Sequence, residues 1–545
     1  LFLLLGAGGA FAVYTFVLDD EDPMLVANNH DERPEPEQQD PRIPDPKIPD
    51  PKVPDPKLPG PKAATFTPVK FQGEQKPIQL PGNASDICAG GDGRFLFIHA
   101  PEEKKLVVYD SSEASVVKEF DTAGKDTRFT AGATKLLIAD NATRTLQRYD
   151  LATMNKDKEG PYPFEGTIED MTVGSGSEGP VLVVGTLPGN RWPVHFLDQE
   201  TLARADADWV TLPATDMPRS VRFRAAANGS RWAGIPTDPD TKGVVIVSRE
   251  GKRLSAEHRD KDKYFGYAAL STDGKHLLSI FGATAVGEPI NRPMAQESVG
   301  FVAPAVSGPL FIHVVRTKSK SGDLGTKVCV TSTPSAPSVT VPKISITQPY
   351  VVGDSLPPDR HIFCVPESQS LIVCPTGAPN TLEIVKYDVM AAQRRAVQFV
   401  SSTPPDLFRP GTTSTYQVRA IGSVNARTFE VTGLEGITIN ATGLMTWKAP
   451  ETETRDRVTI QVAVTGGGVR TSQSFEMFNA AAPAPRPIEP KPKDPKDPKQ
   501  VLAAFKDAHQ ANVKVLPPQR ITQGPPDENQ QVGYFFPTFH EPGVN

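Results

Sequence analysis

The chain has 545 residues, 38% of them hydrophobic and 22% charged, with a net charge of −6. That length exceeds one ordinary core, so two or more domains are expected. The mildly acidic balance excludes the basic footprint that nucleic-acid binding requires.

Proline numbers 55, roughly twice the usual share of about 5%, and it is clustered. The four cysteines, Cys88, Cys329, Cys364 and Cys374, give no disulfide framework and no C-x-x-C pair. The nine histidines are scattered, with no H-E-x-x-H. Neither a metal centre nor a cofactor is expected.

Residues 1–18 are apolar up to Leu18, and the first charge is Asp19. At ~1.5 Å per residue a helix of this length reaches ~27 Å, the hydrocarbon thickness of a bilayer. We read it as a transmembrane helix; Ala10-Phe11-Ala12, a small-x-small cleavage site, keeps a signal peptide as the rival. The acidic run Asp19–Asp22 places the following segment outside the cytoplasm. The expected localisation is a single-pass membrane protein with an extracytoplasmic bulk. The first residue is not Met, which motivates one of the readings of function below, that of a receptor whose cytoplasmic part precedes residue 1.

Residues 19–65 form the first stalk. Ile43-Pro44-Asp45-Pro46-Lys47, Ile48-Pro49-Asp50-Pro51-Lys52 and Val53-Pro54-Asp55-Pro56-Lys57 repeat with period five. Proline at this density forbids helix and sheet ladders and favours extended polyproline II. We read a spacer, with a proline-motif ligand as the rival.

Residues 66–400 show short β-branched and aromatic runs broken by turn signals. Asp86-Ile87-Cys88-Ala89-Gly90-Gly91-Asp92-Gly93 followed by Arg94-Phe95-Leu96-Phe97-Ile98 reads strand, tight turn, strand. The phrase returns near 129–150, 171–198, 221–247, 269–278, 311–315 and 362–388. The clearest copy is Ser271-Thr272-Asp273-Gly274-Lys275-His276-Leu277. Third strands end on an apolar or Tyr residue and then Asp, as in Tyr109-Asp110 and Tyr149-Asp150. About seven units of roughly 40–50 residues match the period of β-propeller blades. On these residues the region resembles bacterial WD40-like or YVTN-like propellers. No Trp-Asp pair closes a blade, and Trp192, Trp209 and Trp232 do not repeat in phase, so neither strict WD40 membership nor the quinoprotein type is implied. The stretch from Val69 to Leu80 is placed to supply the outer strand of the last blade.

Residues 403–480 change pattern, with alternating runs at Thr415–Ala420, Thr428–Val431, Val458–Val464 and Gln473–Met477. Ala441-Thr442-Gly443-Leu444-Met445-Thr446-Trp447 followed by Gln473-Ser474-Phe475 resembles bacterial Ig-like or cadherin-like modules. The resemblance implies a β-sandwich with Trp447 between its sheets. The calcium clusters of true cadherins are absent. A Pro/Lys-rich linker, 481–500, and a tail, 501–545, follow.

The expected fold class is therefore all-β. No nucleophile elbow, P-loop, dinucleotide motif or zincin motif is found, so no catalytic residue is assigned. Asp86, Asp170 and Arg219 begin inner strands and are candidates for the channel mouth, against the plainer reading of solvated loop ends. A Cys364–Cys374 bridge competes with two buried free thiols. The sequons at Asn83, Asn141, Asn228 and Asn440 are read as turn chemistry. Three readings of function remain: an envelope scaffold binding a protein or cell-wall partner, the sensor half of a receptor such as a Ser/Thr kinase, and a propeller lyase or dehydrogenase.

Overall fold

The computed structural model describes residues 77–481, apart from 189–191, 206–220, 237–242, 260–267, 280–281, 289–299, 319–323, 332–338, 342–355, 393–397 and 423–425. The readings of 1–18 as a membrane helix, of the stalks and of the tail lie outside these residues. Among the described residues no helix is long and apolar enough to cross a membrane.

The chain is all-β and folds as a succession of antiparallel sheets. The first sheet runs Asp86–Gly90, Phe95–Ala100, Lys105–Asp110 and Ser115–Asp121; the second runs Thr127–Ala131, Lys135–Asp140, Thr145–Asp150 and Asn155–Pro161. Five more sheets open on Thr167–Thr172, Val221–Ala225, Ala269–Leu270, Gly300–Pro304 and Ile362–Val365. Each opening strand contacts the next in order, and a short 3₁₀ turn, Pro358–Arg360, bridges the seventh back to the first. The result is a radial, propeller-like ring around a hub.

Burial follows radius. Phe95–Ala100 is buried along all six residues, because neighbouring sheets cover both its faces. The outer strands Ser115–Asp121 and Asn155–Pro161 are largely exposed. Separate apolar clusters fill the gaps between sheets, such as Leu182, Phe196, Phe223 and Trp232 between the third and fourth.

The recurring Asp at third-strand ends is turn chemistry. Asp110 Oδ1 accepts the Ser112 N–H at 2.8 Å, Asp150 those of Ala152 and Thr153, and Asp198 that of Thr201 at 2.7 Å. Four residues after each Asp, the chain turns at Ala114, Met154 and Leu202 with φ of 51°, 54° and 59°. Ser271 and Asp273 explain their motif similarly: Ser271 Oγ donates to Asp273 Oδ1 and accepts the His276 N–H.

The ring is closed from the N-terminal side. Ile78 and Gln79 pair antiparallel with Leu382 and Thr381, giving the seventh sheet its outer strand. Leu80, buried beside them, packs with Leu382, Phe363 and Ile87. Val69 lies outside the described residues.

Beyond the ring, Thr413–Gln417, Leu444–Lys448 and Thr438–Ile439 form one sheet. Leu407–Phe408, Val469–Asn479, Arg457–Gly466 and Thr428–Thr432 form another. Both contribute to one core in which Trp447 lies edge-on to Phe408 at 5.2 Å. Gln398–Val400, which the sequence reading leaves with the first domain, pairs instead with Ala420–Gly422. Phe399 and Ile421 of that ribbon pack on the apolar cluster of the sixth and seventh sheets.

The Cys364–Cys374 bridge is not formed, and both side chains are buried. Cys364 faces Leu371 across the hairpin, whereas Cys374 follows Val373, the partner of Ile362. Pleating sends Cys364 into the core with the sixth sheet and Cys374 into the core with the first, so the two side chains stand on opposite faces.

Because Leu80 seats the closing strand, Leu80→Ala is expected to cost about 2–5 kcal/mol. The loss should appear in urea unfolding as a lowered midpoint. A variant as stable as the parent would mean that this strand does not close the ring.

Candidate functional site

All seven opening strands run in the same direction along the hub, and two different ends result. At one end lie the turns into the second strands. These turns bond directly to one another: Gly91 N–H to Gly132 O, Ala133 N–H to Ser177 O, Gly176 N–H to Ala227 O, and Asn228 N–H to Thr272 O. Asp92 N–H reaches Ser175 O, two sheets away, so this end is drawn tight.

The following module sits on that end. Asp92 accepts the Thr403 hydroxyl at 2.8 Å and pairs with Arg419. Arg419 Nε also stands 3.8 Å from Glu367, which accepts the Ser307 hydroxyl. Arg249 pairs with Asp406. Two glycines admit the contact: a Cβ on Gly176 would fall 2.3 Å from Thr403 Oγ1, and one on Gly251, at φ +60°, would meet Phe478 at 3.1 Å. Burial pushes the Glu367 carboxyl above the ordinary carboxylate range, against the pull of Arg419 and the Ser307 hydroxyl.

Inside the hub is a cavity of about 110 Å³, walled by residues from all seven sheets. Its charged groups are Asp86, Asp170, Arg224, Asp359 and Arg360. Arg224 Nε donates to Asp359 Oδ2 at 2.9 Å, and the side chains are 14% and 8% exposed. This pair joins the fourth sheet to the turn before the seventh and so spans the hub. Arg360 Nε stands 3.4 Å from Asp86 Oδ1 and 3.7 Å from Asp359 Oδ2. Asp170 Oδ2 accepts the Phe223 N–H at 2.7 Å, locking the third sheet to the fourth.

Electrostatics divides the carboxyls. Burial raises Asp359, but Arg224 and Arg360 outweigh it and hold the group below the usual range. Burial raises Asp170 and prevails over Arg224 and the Phe223 N–H. Arg224, opposed by burial, is raised by Asp359, Asp86 and Asp170. Burial pushes the Cys88 thiol, also on the wall, up to about 12, which keeps it protonated and a poor nucleophile. Among the described residues no group of three His, Cys, Asp or Glu side chains could hold a metal ion.

The structure thus brings Asp86 and Asp170 to one cavity, while Arg219 lies outside the described residues. Sequence reasoning missed Arg224, Asp359 and Arg360. The one signal was Arg222-Phe223-Arg224, where apolar alternation is flanked by charges. The sequons at Asn228 and Asn440 are turns, each side-chain oxygen accepting the N–H two residues on. Asn141 instead bonds Ile168 N–H and C=O, tying the second sheet to the third.

No family model matches the chain, and no curated protein does. Solved structures do resemble it. A hydrazine synthase of Kuenenia stuttgartiensis has a TM-score of 0.35 at 12% identity, covering 59% of this chain and 100% of that one. The β-propeller domain of Cps50 (Swd1) from Myceliophthora thermophila has a TM-score of 0.36 at 12% identity, covering 57% and 99%. A quinoprotein alcohol dehydrogenase-like protein of Bacteroides thetaiotaomicron has a TM-score of 0.30 at 13% identity, covering 46% and 64%. At these scores the likenesses carry no argument about function, and the propeller-like fold stands on the sheet topology above.

Two consequences can be measured. Arg224→Ala removes the hydrogen-bonded partner of buried Asp359 and leaves it only Arg360 at 3.7 Å; it should cost about 3 kcal/mol in urea unfolding, whereas Arg224→Met with Asp359→Leu should recover most of the loss. Equal losses in both variants would show that the ion pair is not the source. The second consequence concerns pH. Folded Glu367 keeps its proton to higher pH than its ordinary 4.5, so between 4.5 and its raised value the native state binds more protons than the unfolded one. Its contribution is complete below 4.5 and lost as pH rises through the raised value. The stability of the parent relative to Glu367→Gln should therefore fall across that window, measured by urea unfolding at about pH 4 to about pH 8; a constant difference would contradict the assignment.

Proposed function

We propose that the protein is a non-enzymatic binding or scaffold protein of the bacterial cell envelope. In this reading a seven-bladed propeller is carried outside the cytoplasm on a membrane-tethered proline-rich stalk and braced by an Ig-like or cadherin-like module. The supporting observation is the asymmetry of the ring. The module occupies the end where first strands turn into second strands, through Asp92, Glu367, Arg249 and Gly251. The opposite end carries the turns between second and third strands, Ala100–Lys105 and Asp140–Thr145, and in this reading it meets the partner. A rigid ring with one face braced and one face offered suits display better than chemistry. The hydroxyl, thiol and carboxyl groups on the cavity wall include no nucleophile paired with a base, and Cys88 is held as a thiol.

A ligand-sensing ectodomain of a receptor such as a Ser/Thr kinase is the second reading. The charged cavity at the hub favours it.

Photo-crosslinking in intact cells tests the proposal. A crosslinker replacing Glu102, on the open end, should give a discrete heavier species with a partner protein or wall fragment. One replacing Glu113, on the braced end, should not. Added protease should digest the chain in spheroplasts without lysis. No adduct from Glu102, or full protection from the protease, would overturn the reading.

A further inference from the structure

The five charged groups at the hub are not scattered. Asp86, Arg360, Asp359 and Arg224 follow one another by contacts of 3.4, 3.7 and 2.9 Å, with alternating sign. Asp170 continues the series, since its carboxyl and the Arg224 guanidinium act on each other electrostatically. The arc therefore begins and ends on a carboxylate. Those two ends, Asp86 on the first sheet and Asp170 on the third, flank the second sheet, whose Phe129 and Thr130 line the same cavity. They also act on each other with like sign. A positive group between them would complete the alternation.

The cationic members of the arc have unused capacity too. Arg360 Nε is buried and has no hydrogen-bond partner among the described residues. The bonds of Arg224 run from Nε to Asp359 and from Nη1 to Phe223 O, which leaves its Nη2 donors over. A bare cation would meet two guanidiniums, and a bare anion three carboxylates. A ligand carrying one charge of each sign is the species whose both ends are matched. Size narrows it further: about 110 Å³ is well below the several hundred of an ordinary ligand pocket. The rest of the wall is uncharged and mixes short side chains, Ala89, Ala225, Ala227 and Ala269 among them, with larger ones such as Phe129 and Phe363.

We propose that the hub binds a small α-amino acid as its zwitterion, the ammonium between Asp86 and Asp170 and the carboxylate on the guanidiniums of Arg360 and Arg224. This rests on the reading of the chain as a non-enzymatic binding protein and gives that reading a ligand class. No bond is made or broken.

Isothermal titration of the 545-residue chain with glycine and with L-alanine tests the site, with methylammonium and acetate as its two separated halves and L-phenylalanine as an oversized probe. Glycine or L-alanine should give saturable one-to-one heat. Each half should bind at least about tenfold more weakly, and L-phenylalanine should give none. Asp170→Asn, which can still accept the Phe223 N–H, should weaken glycine and L-alanine by about tenfold or more while leaving the unfolding midpoint within a few degrees. Three results would overturn the proposal: no heat from a folded chain, methylammonium or acetate binding as well as glycine, or undiminished affinity in Asp170→Asn. The Glu102 crosslink is read independently. Silence in the titration with the crosslink intact removes the ligand and spares the scaffold reading, whereas heat without the crosslink removes the macromolecular partner alone.

Discussion

Without the pairing of Ile78 and Gln79 with Leu382 and Thr381, the first and seventh sheets would each offer an apolar face to water. A blade cannot bury its two faces alone; it depends on a neighbour at each side, and the last neighbour is the first sheet. Joining ends that are some three hundred residues apart costs loop-closure entropy that grows only slowly with length. A two-residue strand and one buried Leu are therefore enough to hold what the face-to-face packing favours. The hub follows from closure. Asp86 stands beside Arg360 only because the first and seventh sheets are adjacent, and Arg224 reaches Asp359 only because the fourth lies across the ring from the seventh.

The hub shows how the ring holds polar groups in its middle. Inner strands converge there, and their side chains have little volume to share. Alanines and threonines line much of it beside apolar residues such as Phe129 and Phe363, and the charged groups admitted stand next to groups of opposite sign. A buried ion pair contributes little net stability beside an apolar pair of similar volume. It does fix geometry, since a misplaced sheet would leave a charge unmatched. The same logic operates where the second module docks. Asp92, at φ +54° in a turn, holds both Thr403 and Arg419 and so ties the tight end of the ring to the connection that leaves it.

Much of the ring was legible in the sequence. The Asp-Gly turns and the strand-terminal Asp residues recur because each blade needs the same two tight turns, and each turn needs a side-chain acceptor for its N–H groups. The αL positions Ala114, Met154 and Leu202 were silent, because none is Gly. The opening strand of the sixth sheet, Gly300–Pro304, was also missed. It turns through Ser307 and Gly308 without the Asp-Gly signal, and its copy had been read from Phe311 onward. In the second module, Thr415–Ala420 read as one run, yet the chain changes sheets within it, with Thr413–Gln417 on Leu444–Lys448 and Ala420–Gly422 on Gln398–Val400. Alternation continues through such a crossing and does not mark it. Of the hub, the carboxylates that begin strands could be named from position. The arginines could not, because their role depends on which sheets face each other across the ring, a property of closure that no local window contains.

The closing strand also determines how the molecule would answer to force. It is the first described segment of the chain, and it is held at the rim of the seventh sheet by two residues in register and by the Leu80 and Ala84 N–H groups on Asn380 O and Pro379 O. Tension applied ahead of Ile78 bears on these few bonds before it reaches any buried face. The ring would open at its seam, one bond after another, while the apolar cores between the sheets were still loaded lightly.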